Sequence, residues 1–254
     1  MWKFAKSKIV KQDSTFVFHD FKLFRSDQYL NIDGIISSNP LDTLSIVLKS
    51  FDIKPLNSFM PENLKLDGVF TGSATFLDLY KSPQVLVNAI GKEVAINERE
   101  AGDFNIRSEW MNLSRSFNFN ISNIKNNQEA ISLNGYFRPS DDYLDTDIKL
   151  NNFSLTYFEP FLTDVISDFK GGINGTIKVE GPLNKLKING INTTLDNLKF
   201  KVDYTNVEYT LNGPFTFREN GVTFNNIAIK DRAGNTGRVS GGLNHRYFNN
   251  LYLN

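Results

Sequence analysis

The sequence holds no cysteine, which excludes disulfide frameworks, thiol nucleophiles, iron–sulfur clusters and thiolate zinc sites together. Only two imidazoles occur, His19 and His245, near opposite ends of 254 residues, and both read as surface or turn residues. Charge of either sign is not in excess. With 28 Lys+Arg against 28 Asp+Glu and a pI near 6.8, no broad basic face draws the chain to nucleic acid or to an anionic membrane. Long apolar runs are missing too: three lysines interrupt the first eight residues, and nothing elsewhere approaches the roughly eighteen apolar residues of a spanning helix. Neither a signal peptide nor an anchor is visible, which leaves a cytoplasmic protein or a piece of a longer exported one.

What is present is alternation. Leu198, Phe200, Val202 and Tyr204 take every second position between Lys199, Lys201, Asp203 and Thr205. The phase then shifts by one residue and continues as Val207, Tyr209 and Leu211. The same period of two holds for Ile173, Ile177 and Val179, for Phe117, Phe119 and Ile121, and for Ile131, Leu133 and Phe137. These are strands with one apolar and one wet face, so the chain is expected to be all-β. Turn chemistry falls between them at Ser38-Asn39-Pro40, Ser82-Pro83, Pro139-Ser140-Asp141-Asp142, Gly181-Pro182, Asn212-Gly213-Pro214 and Asn220-Gly221. Helical candidates are few; the best spacing runs over Phe158–Asp168, and the shorter stretch Leu56–Pro61 reads as a helical turn or a loop.

The chain also repeats itself. Leu30-Asn31-Ile32-Asp33-Gly34 matches Ile131-Ser132-Leu133-Asn134-Gly135 at an offset of 101 residues, and Gly68-Val69-Phe70-Thr71-Gly72 matches Gly171-Gly172-Ile173-Asn174-Gly175 at 103. A third partial copy begins at Arg238-Val239-Ser240-Gly241. The expected organisation is one array over residues 1–254: a partial unit at 1–29, repeats at 30–130 and 131–236, and a partial unit at 237–254. The last residues read as a strand begun, so the chain is expected to continue.

The succession from Gly171 through Gly181-Pro182-Leu183, followed by Asn226, Asp231, Gly234 and Gly241, resembles the TamB family of translocation and assembly proteins and its wider AsmA-like relatives. The cadence is clear over 171–241 and looser over 30–90, where Ser82 stands in place of the glycine of Gly-Pro. The resemblance implies an elongated, curled antiparallel β-sheet, a groove with short helical or irregular rim segments. It implies a periplasmic protein, anchored in the inner membrane by a segment outside this chain. Expected partners are phospholipid acyl chains and an outer-membrane barrel of the TamA or BamA type. Nucleic acid, catalysis, cofactors and metals are not expected.

Strand phase then nominates the groove lining: Phe117, Phe119, Ile131, Leu133, Phe137, Ile148, Leu150, Phe153, Ile173, Ile177, Val179, Leu186, Ile188, Phe200, Val202, Tyr209 and Leu211. Two other readings compete with a lipid conduit. A β-solenoid adhesin or scaffold with a dry core would carry shorter repeats of about 20–30 residues. A polysaccharide-acting enzyme would place clustered carboxylates in an apolar context, which no pair here occupies. Asp141, Asp142, Asp145 and Asp147 lack the glycine and distal glutamate of a twelve-residue calcium loop and read as a solvated turn.

Overall fold

The computed structural model describes residues 2–59, 65–156, 166–218, 220–246 and 249–253. The described residues form seventeen strands and short 3-10 turns, with no α-helix among them. Two compact units divide the chain: residues 1–129 with 134–143, and residues 130–133 with 144–254.

Unit 1 contains β1 (Lys3–Phe4), β2 (Lys8–Gln12), β3 (Thr15–Arg25), β4 (Gln28–Ile36), β5 (Thr43–Asp52), β6 (Leu66–Leu77), β7 (Gln84–Ile96), β8 (Arg99–Met111) and β9 (Ser116–Lys125). From β2 onward each strand pairs antiparallel with the next, and β1 pairs with the far half of β3. β10 (Gln128–Arg138) is shared between the two units. Unit 2 contains β11 (Tyr143–Ser154), β12 (Ile166–Pro182), β13 (Lys187–Val202), β14 (Val207–Arg218), β15 (Gly221–Asp231), β16 (Thr236–Arg246) and β17 (Asn249–Leu253). There too β12 through β17 pair in sequence order, all antiparallel.

Three expectations are corrected. The helical spacing over Phe158–Asp168 ends in strand: Ile166 and Ser167 pair with Val202 and Lys201, because the β13 backbone outcompetes a local helix. Residues 157–165 lie outside the described residues. Tyr204 does not extend its strand; it stands in the β13–β14 turn, 98% exposed, so the phase shift in the sequence is a hairpin. Asn212-Gly213-Pro214 is not a turn but lies inside β14. The stretch near Leu56 is a 3-10 turn, Lys54–Phe59.

That misread Asn-Gly pair belongs to a recurring device. In six strand pairs the first strand carries a non-glycine residue in the left-handed region: Asp20, Ser50, Glu93, Asn152, Asn197 and Asn226, with φ of 45–56°. Each donates its N–H to a side-chain oxygen on the following strand, from Asp33, Thr71, Asp103, Asn174, Asn212 and Ser240 respectively, at 2.7–3.0 Å. In all six the accepting residue adjoins a glycine of positive φ. The register skips a residue at this point in β3–β4, β5–β6, β7–β8, β13–β14 and β15–β16, which makes each a β-bulge. A bulge bends its strand and adds twist.

Candidate functional site: an apolar sheet face with a creased floor

Residues directly opposite in an antiparallel pair share a face, so the registers define rows running across the strands. In unit 1 one row reads Leu23, Leu30, Leu48, Gly72, Ala89, Ile106, Ile121 across seven strands, apolar throughout. The row beside it on the opposite face reads Lys22, Asn31, Val47, Ser73, Asn88, Arg107, Asn120. Every member of the apolar row is half-buried rather than buried. A face packed under a second layer would have removed these side chains from solvent, so this one lies open within its unit.

The bulges place the deepest residues of that face. The residue following the left-handed position is Phe51, 2% exposed, in β5; Val94 in β7; Leu198 in β13; and Ile227, 1% exposed, in β15, and all four are buried. The polar oxygens that hold the bulges lie on the opposite face, where all six bonds are solvent-exposed. Each bulged pair is therefore bent toward its apolar side, with the bend as the floor. In unit 1 the floor is further closed by the Trp2 ring, 5.2 Å from that of Phe51, with the Arg25 guanidinium over the indole at 5.2 Å.

Unit 2 fills its own face. Leu155, Phe169, Leu195, Leu198, Leu211, Phe215 and Ile227 form one buried cluster, with Ile173, Phe200, Tyr209, Phe217 and Phe224 packed against it. Buried Thr193 donates its hydroxyl to the Phe215 carbonyl, satisfying an acceptor inside this cluster.

The sequence-read lining divides accordingly. Phe117, Phe119 and Phe137 fall in unit 1, where the Phe117 and Phe137 rings stack at 6.4 Å and Ser108 faces Phe119. Ile131, Leu133, Ile148, Leu150, Phe153, Ile173, Ile177, Val179, Leu186, Ile188, Phe200, Val202, Tyr209 and Leu211 fall in unit 2. Of these fourteen, Leu211, Ile173, Phe200 and Tyr209 belong to the cluster, and Val179 faces Ile188 on the neighbouring strand. Only Val179 and Leu211 of the whole set are buried. Sequence reading missed the floor: Phe51, Val94, Leu195, Leu198, Phe215 and Ile227 were not nominated. The available signal was apolar spacing of three inside a strand, as in Leu48 to Phe51, Leu195 to Leu198 and Phe224 to Ile227, where the bulge inserts a residue.

Several carboxylates among the described residues pair with nearby cations. Asp141 forms a bidentate pair with Arg138 at 2.7 Å, which holds its carboxyl below the usual range. Asp145 and Asp147 both meet Lys178 on the face away from Ile177, and the Asp145 hydrogen bond raises the lysine's pKa. Among the described residues no group of three His, Cys, Asp or Glu is placed to hold a metal, and no helix is long and apolar enough to cross a membrane.

The open apolar face and its bulged strands define a β-groove class of protein. The family model for the TamB N-terminal domain matches residues 27–193, well over half of the chain. The chain belongs to the TamB family. Among curated proteins and among solved structures, none matches it.

Proposed function

We propose that this chain is a segment of a periplasm-spanning TamB-like protein that carries phospholipid along its apolar sheet face, supports outer-membrane protein assembly, or does both. The supporting observation is the row from Leu23 to Ile121, apolar across seven strands and half-buried at every position. Each methylene of an acyl chain laid on such a face gains about 0.8 kcal/mol, and the row offers no polar group that would fix a head group. Movement along it is then sliding, without catalysis or cofactor. Membership of the family favours an outer-membrane barrel of the TamA or BamA type as partner and an inner-membrane anchor elsewhere in the protein. Residues 30–130 and 131–236 act in this reading as two turns of one repeat.

The self-filled cluster of unit 2 favours a second reading for that half, a scaffold with a dry face. A photoreactive phospholipid tests both. Crosslinking at Ala89 and Ile106 well above that at Asn88 and Arg107 supports the conduit. Equal labelling of the two sets removes it and leaves the scaffold.

A further inference from the structure

The six left-handed positions held by side chains recur in both units, and five of them coincide with a register skip. We infer that these positions form a hinge, about which the arm beyond the bulge rocks against the rest of each strand pair to change the width of the apolar groove. The bulges sit at a nearly constant place. In β3–β4 the arm beyond the bulge is Phe21–Arg25 with Gln28–Ile32; in β7–β8 it is Val94–Ile96 with Arg99–Gly102; in β13–β14 it is Leu198–Val202 with Val207–Leu211. Each of these arms spans three to five residues, on the side of the turns that close β3–β4, β7–β8 and β13–β14.

At the crease the backbone ladder is interrupted and replaced by one hydrogen bond from an amide to a side chain. All six of those bonds are exposed to solvent, so water takes over the amide when the bond opens and no buried group is orphaned. Two neighbouring pairs carry no skip at all: β4–β5 holds six unbroken partners from Tyr29–Lys49 to Gly34–Leu44, and β8–β9 holds nine from Asp103–Ile124 to Met111–Ser116, whereas β6–β7, β12–β13 and β14–β15 also shift register. Rocking therefore breaks the weak exposed bonds and leaves the β4–β5 and β8–β9 ladders whole. The same amide-to-side-chain arrangement at Asp20, Ser50 and Glu93 in one unit and at Asn152, Asn197 and Asn226 in the other puts these six pairs on the same kind of pivot. The hinge does not depend on which ligand, if any, occupies the groove.

The test uses the 254-residue chain without lipid, and its lack of cysteine allows clean spin labelling. Labels at Glu98→Cys and Leu113→Cys, both exposed, span β8 across the crease at Asp103, whereas Leu41→Cys with Leu113→Cys joins two turns on the same side of the crease. The expected result is a broader distance distribution for the first pair than for the second. Asp103→Ala shifts and broadens the first pair only, and Asp103→Asn, which still accepts from Glu93, restores it although the ion pair to Lys92 is lost. Distances unchanged in Asp103→Ala, or both pairs changing alike, overturn the hinge. Hydrogen exchange on the unsubstituted chain gives an independent reading if Asp103→Ala does not fold. The amides of Ser50, Glu93 and Asn226 should exchange at least about tenfold faster than the paired amides on both sides of them, and exchange at a common rate overturns the hinge.

Discussion

Ser50 and Asn152 stand 102 residues apart and do the same work: each turns left-handed, at φ 45° and 48°, and each gives its N–H to a side chain from a matched glycine-bounded segment, Thr71 at 2.9 Å and Asn174 at 2.7 Å. The sequence repeat therefore preserves a left-handed position and its hydrogen bond as well as a hydrophobic pattern. A bend at this position is what lets a sheet turn its apolar side inward.

The floor of the bend should dominate the stability of its unit. Ile227→Ala removes a side chain 1% exposed and should cost about 2–5 kcal/mol, whereas Tyr204→Ala, in the exposed turn, should leave stability within about 0.5 kcal/mol. Denaturant unfolding of the two variants checks this. A similar midpoint for both would mean that Ile227 does not anchor the cluster.

Thr193→Val keeps the side chain's shape but leaves the buried Phe215 carbonyl without its donor. The expected loss is about 1–3 kcal/mol, the desolvation cost of the orphaned acceptor, and Thr193→Ser should recover most of it. Thermal unfolding followed by circular dichroism distinguishes the three proteins.

Gly34 lies at φ 123°, and a Cβ built there would meet the Thr43 carbonyl oxygen at 2.1 Å. Gly34→Ala should therefore destabilise unit 1 by about 1–3 kcal/mol through backbone strain and displacement of β5. Amide exchange in β3–β5 should accelerate. Unaltered protection in these strands would show that β5 yields without cost.

Acid should loosen the bulge at Glu93. The hydrogen bond from Lys92, aided by the Glu93 amide, lowers the pKa of Asp103 below its ordinary 3.8. A lowered carboxylate contributes stability above that ordinary value and loses it as pH falls through the lowered one. The chain's stability should consequently drop on acidification below 3.8, more steeply than that of Asp103→Asn. Parallel pH profiles for the two proteins would remove Asp103 from the acid transition.

A charge in the open row should interrupt anything that slides along it. Ile106→Asp, half-buried between Ala89 and Ile121, should abolish phospholipid crosslinking at Ala89 while leaving the circular dichroism of strand intact, because the site keeps access to water. Undiminished crosslinking in the folded variant would count against the conduit.

By itself the sequence determined the elements, since a period of two at Phe117, Phe119 and Ile121 or at Leu198, Phe200 and Val202 admits only strands with one apolar face. It also determined the repeat and, through the glycine cadence from Gly171 to Gly241, the family. Local periodicity carries no information about where a register skips. Asn212-Gly213 reads as a turn until β13 is beside it and its side chain takes the Asn197 amide. Tertiary pairing therefore decided which of many apolar residues became the floor: Ile227 is buried and Phe200 only half-buried, although both lie on apolar faces of regular strands. The physical reason is that burial here comes from the bend of a sheet on itself, and the bend is fixed by hydrogen bonds between strands that are distant in their own local pattern.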